Sequence, residues 1–184
     1  MKALVRYTPH ADDESWSADW APSLFFDEHG ESRDWDDLGE DEFIFSRFYV
    51  DVTLEIGGVD FSRHYLPVLD FALAWAAAPK ALRTQDRVEV MMSVEALTYR
   101  LERDGDLVRV RSNVHAGQAL ISATALADSV DRMVDGAFSM LHRHHPELRH
   151  NPYLLVLLKR LLYPDVQYLN AWEWDVCRRC YRES

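Results

Sequence analysis

Across residues 50–56 the chain alternates. Val50, Val52, Leu54 and Ile56 are apolar while Asp51, Thr53 and Glu55 are polar, the period of two of a strand with one buried face. A strand-like pattern is already present from Phe43. Gly57-Gly58 then supplies a two-residue hairpin turn, setting Ile56 opposite Val59, Leu54 opposite Phe61 and Glu55 opposite Asp60. Two facing carboxylates destabilise a sheet, so an arginine on the same sheet is expected beside them. The alternating runs 87–93 and 97–103 are the next strands, followed by a turn at Gly105-Asp106. That turn faces Glu102 with Arg109, Arg100 with Arg111 and Leu101 with Val110, whereas a register one residue off mixes the two faces. Residues 3–7 alternate as well and predict an N-terminal strand.

Helical spacing takes over elsewhere. Leu66, Leu69, Leu73 and Ala76 predict a core-facing helix over 66–78, with Pro67 in its first turn and Pro79 closing it. A longer helix opens at Ser122 or Thr124 as cap, carries Leu126, Val130, Met133, Val134, Ala137, Phe138 and Leu141 at spacings of three and four, and stops at Pro146. Asn151-Pro152 reads as the cap and first residue of another helix. Its residues Leu154, Leu155, Val156, Leu157, Leu158, Leu161 and Leu162 make it apolar almost all round. Such a helix is expected to be buried on two sides within the chain, with a homodimer interface as the alternative. Strands and helices are segregated, with no βαβ rhythm. The expected class is α+β: a single antiparallel sheet built from hairpins, covered on one face by three to four helices, in one domain of 184 residues.

Charge changes this picture at one end. The first 45 residues hold thirteen acids and three bases, −10 of the chain's −11, while the remaining 139 hold 18 acids and 17 bases. Solvated acidic tails are poor in aromatics, yet this quarter carries Trp16, Trp20 and Trp35 with Phe25, Phe26, Phe43 and Phe45. Residues 1–42 therefore read as an acidic arm whose rings dock on its own domain or on a partner, and 43–184 as the α+β body. Asp34-Trp-Asp36-Asp37-Leu38-Gly39 begins like a calcium loop but lacks its essential later ligands: position 5 is Leu38 and position 12 is Phe45. The acidic balance argues against a nucleic-acid surface. No apolar run has the length of a membrane span and no signal peptide opens the chain, so a cytoplasmic protein without membrane partners is expected.

Chemistry-bearing motifs are sparse. Cys177-Arg-Arg-Cys180 has the spacing of half a zinc site, and His142, His144, His145 and His150 are the further ligands the sequence offers, but their spacing matches no standard finger. There is no GxSxG, HExxH, phosphate loop or GxGxxG, and no cofactor is expected. Seventeen of the twenty bases are arginines, and Arg100, Arg109 and Arg111 on one sheet face are positioned to pair with carboxylates of the arm. A small acidic α+β chain of this kind is similar in character to bacterial toxin-immunity and inhibitor proteins, though no motif ties it to a family. The expectation is a non-catalytic module that captures a basic protein through Trp16, Asp19, Trp20, Asp34, Trp35, Asp36, Asp37 and Glu40. The alternative is a metal protein or enzyme using His142, His144, His145, Cys177 and Cys180.

Overall fold

The computed structural model describes residues 3–24 and 30–162. Among them, eight strands form two four-stranded antiparallel sheets, so the single sheet expected from the hairpins is corrected to two. The first holds β1 (Ala3–Pro9), β2 (Tyr49–Ile56), β3 (Val59–Asp60) and β4 (Arg63–Pro67). Its centre is β2, which pairs with β1 along one edge and with β3 and β4 along the other. The second is a meander of β5 (Arg87–Met91), β6 (Thr98–Asp104), β7 (Leu107–Ser112) and β8 (Gln118–Ser122). Four α-helices accompany them: α1 (Val68–Ala76), α2 (Ala78–Ala81), α3 (Ala123–His144) and α4 (Pro152–Leu162). The α+β class holds.

Each sheet buries one face. Val50, Val52, Leu54 and Ile56 of β2 and Tyr99, Leu101, Val108, Val110 and Ile121 of the meander enter one continuous core. Helix α3 packs against α1, against β1 and against the end of the meander, and so joins the two sheets. Its start is the expected one, with the Ser122 side chain accepting from the Ala125 amide at 3.2 Å. Both hairpin registers hold: Ile56 faces Val59 and Glu55 faces Asp60, while Glu102, Arg100 and Leu101 face Arg109, Arg111 and Val110. The meander ends at β8, which pairs with β7, and Gly117 just before it lies so close to Val59 of the first sheet that a methyl group there would fall 2.9 Å from the valine side chain.

Several expectations need correction. Residues 41–46 form a π-helical turn instead of the beginning of a strand, which sends consecutive Phe43 and Ile44 into the core and leaves Phe45 outside. Helix α1 starts later than expected because Leu66 and Pro67 finish β4, and Pro79 lies inside the short α2. No arginine relieves Glu55 and Asp60 among the described residues; the Ser62 hydroxyl and amide, the latter at 2.8 Å, hold the Asp60 carboxyl below the usual carboxylate range. Among the described side chains of α4, Leu154 is fully enclosed while Leu157, Leu158 and Leu161 are partly buried, so among the described residues this helix rests on the rim of the core.

The acidic quarter is built into this frame from both ends. Residues 3–9 are a full strand of the first sheet, with Ala3 opposite Ile56 and Pro9 opposite Val50. Everything between Pro9 and Tyr49 is therefore a long connection joining two neighbouring strands, and it carries its own 3-10 turns at Glu14–Trp16, Pro22–Leu24 and Trp35–Asp37.

Candidate functional site

The connection is held by its aromatics. Trp16 and Trp20 are buried, and their rings lie 5.3 and 5.5 Å from that of Phe48. Phe48 is fully buried with a left-handed φ of 58°, the turn that carries the chain from the π-helical segment into β2. The Phe48 amide donates to the Ser15 hydroxyl at 2.8 Å, and that hydroxyl donates to Asp13 at 2.7 Å. Asp13 also accepts from the amides of Ser15 and Tyr49. This carboxylate is thus part of the fold.

The expected partner-binding residues divide accordingly. Trp16 and Trp20 are anchors of the protein's own core, and their rings are closed to a partner. Trp35 is half-buried, its ring 5.5 Å from Trp20 and 5.0 Å from His145. The carboxylates behave differently: Asp19, Asp34, Asp36, Asp37 and Glu40 are all exposed. The Trp20–Trp35 contact sets the segment bearing Asp19 beside the turn bearing Asp34, Asp36 and Asp37. That turn is rigid, since Asp34 and Asp37 form a capping box in which each carboxylate accepts from a backbone amide of the other end. Arg33 binds the Asp37 carbonyl at 2.7 Å and pairs with Glu42. Burial opposes ionisation of Glu42, but the Arg33 guanidinium and the Gly39 amide outweigh it and hold the carboxyl below its ordinary range.

The arginines expected to neutralise this segment are engaged elsewhere. Arg100 pairs with Glu89 at 3.0 Å, Arg109 with Glu102 at 3.5 Å, and Arg111 donates to Gln118 at 3.1 Å, all within the meander. Among the described residues, no lysine, arginine or histidine forms an ion pair with Asp19, Asp34, Asp36, Asp37 or Glu40.

The histidines at the end of α3 do not converge. His142 lies against Phe138, and His144 sits edge-on to Trp16 with centroids 5.1 Å apart. His145 is buried among Trp20, Trp35 and Phe48, donating from Nε2 to the Ser15 carbonyl at 2.6 Å. Burial pushes both His142 and His145 below the ordinary imidazole range. Among the described residues no group of three or more His, Cys, Asp or Glu side chains is placed to hold a metal ion. Cys177 and Cys180 lie outside the described residues.

A second constellation was not anticipated. His10, at the end of β1, and His64, on β4, both approach Oδ1 of Asp51 at 3.2 Å, so one carboxylate oxygen accepts from two imidazole Nδ1–H groups. The Tyr65 amide adds a longer contact at 3.4 Å. Burial works against the Asp51 charge, but hydrogen bonds from His64, His10 and Tyr65 prevail and hold its carboxyl low. Asp51 sits where the pairing of β2 with β4 slips by a bulge, and Tyr65 takes a left-handed φ of 60°. The exposed Tyr65 ring stacks on Tyr49 at 4.2 Å and meets the His10 ring edge-on at 4.8 Å. Beside them is an open depression lined by residues 9–14 with Trp16 and Ser17, including the carboxylates of Asp12, Asp13 and Glu14. The sequence places Asp51 and His64 41 and 54 positions after His10 with no motif linking them; only the pairing of β1, β2 and β4 brings them together.

Comparisons with protein-family models, with curated proteins and with solved structures return no match to this chain.

Proposed function

We propose that the protein is a non-catalytic, acidic protein-binding module that captures a basic protein, in the manner of a bacterial toxin-immunity or inhibitor protein. The observation that carries this reading is the fate of the carboxylates. Asp19, Asp34, Asp36, Asp37 and Glu40 stand exposed on a segment fixed by buried tryptophans, and Arg100, Arg109 and Arg111 are engaged by neighbouring strands of the meander. A negative field on a preordered surface speeds encounter with a cationic partner and costs little ordering on binding. The buried Trp16 and Trp20 narrow the surface to the five carboxylates and the exposed part of Trp35.

The test starts from the partner recovered with the chain from its host and identified by mass spectrometry. Association of the purified pair is then followed at increasing salt. Replacing Asp34, Asp36 and Asp37 together with Asn should slow association about tenfold or more at low salt and flatten its salt dependence, because rim charges act chiefly on the on-rate. An unchanged on-rate at low salt, or a captured partner without a basic surface, refutes the reading.

A further inference from the structure

We propose that Tyr65, supported on Tyr49 beside the His10–Asp51–His64 cluster, is the anchor that receives an arginine side chain of the basic partner; this deepens the reading above and rests on it. The ring has the three attributes such a contact requires. It is presented to solvent, being 53% exposed although it is a large aromatic. It is held in place, by the stack on Tyr49, the edge of His10 and the Tyr49 hydroxyl, which donates to the Phe45 carbonyl at 2.6 Å. Its surroundings are anionic: Asp51 accepts from the Tyr65 amide, and Asp12, Asp13 and Glu14 line the adjoining depression. Arg6 stands opposite Thr53 on the same face and Arg63 is paired with Glu95, so the balance stays negative.

A guanidinium suits this site better than an ammonium. Its planar, weakly hydrated group stacks on a tyrosine face while its N–H fork reaches a carboxylate at the rim, whereas a lysine offers a compact, strongly hydrated charge. Asp12 is the carboxylate available for that fork, with its side chain 90% exposed and 3.7 Å from His10 Nε2. The Asp51 carboxylate has a different duty. By accepting from both imidazoles and from the Tyr65 amide it fixes the strand residues around the ring, so Tyr65 need not be ordered when the partner arrives.

The probes are two tetrapeptides with blocked ends, tetra-arginine and tetra-lysine, titrated calorimetrically into the full chain at low ionic strength. The wild-type chain should bind tetra-arginine about three- to tenfold more tightly than tetra-lysine. Tyr65→Phe should keep that ratio, and Tyr65→Leu should bring it close to one. Asn tolerates a left-handed φ, so Tyr65→Asn repeats the loss in a chain whose backbone is not further strained. A ratio unchanged in Tyr65→Leu and Tyr65→Asn, or the absence of any preference in the wild type, overturns the proposal. The Asp34, Asp36 and Asp37 to Asn variant separates the two claims. Equal weakening of both peptides with the ratio kept supports the acidic surface and the anchor together. Unchanged affinity in that variant, with the ratio still lost in Tyr65→Leu, removes the acidic surface and leaves the anchor.

Discussion

His145 and Phe48 are the residues at which the acidic connection is fastened to the body. The His145 imidazole is only 3% exposed and already spends one N–H on the Ser15 carbonyl, so a proton added to it brings a poorly solvated charge into a cage of aromatic rings. Its folded-state pKa is therefore depressed below the unfolded value of about 6.5. The sign follows: between the two values the unfolded chain binds the proton and the folded chain does not, so stability is full above about 6.5 and declines as the pH falls through that window. His142 adds in the same direction. Thermal unfolding between pH 8 and pH 5 should show the midpoint falling on acidification, and His145→Asn should shrink that slope; an equal slope in the variant excludes His145 as its source. Phe48 supplies the packing counterpart. Its ring contacts Trp16, Trp20 and Phe43, so Phe48→Ala, which keeps the left-handed backbone and its Cβ, should cost about 3–5 kcal/mol in a denaturant titration.

At the scale of elements, one polar side chain ties a helix to the connection. Asn151 is fully buried; its Nδ2 donates to the carbonyls of Trp35 and Leu38 at 2.7 and 2.9 Å, while its Oδ1 accepts from the Leu154 amide at the start of α4. Asn151→Ala removes the cap and leaves two buried carbonyls unsatisfied, which should lower stability by about 2–4 kcal/mol in urea unfolding. Asn151→Asp keeps the cap but places a carboxylate against those carbonyls, and should be at least as damaging. The sequence made the cap legible because Asn-Pro is a local signal. It made both hairpin registers legible for the same reason, since turn residues and alternation lie within ten positions of each other. What it withheld is non-local. Alternation tells which face of a strand is buried and not which sheet the strand joins, so β8 and the division into two sheets were not visible. The π-helical turn escaped too, because consecutive apolar residues at Phe43 and Ile44 fit a strand pattern as well as a wide turn.

Across the whole molecule, charge and packing are distributed on different logic. The lopsided charge was readable by counting, and the structure keeps much of it outward; among the described residues the pairing expected between the arm and Arg100, Arg109 and Arg111 does not form, because neighbouring strands of the meander offer Glu89, Glu102 and Gln118 nearer at hand. The tryptophans were readable as buried-or-binding but not assigned between the two, since that depends on which rings the end of α3 receives. The cluster around Asp51 was invisible for a physical reason: its members come from three strands and share no spacing. Because β1 and β2 are hydrogen-bonded neighbours along seven residue pairs, both ends of the segment between them are clamped to the same ladder. A protease that severs the backbone between the exposed residues Gly30 and Glu31 would then create two fragments without releasing either. The nicked protein should travel as a single species in a native gel and come apart only in detergent, the larger fragment holding the smaller by a zipper of main-chain bonds and a fistful of indole rings.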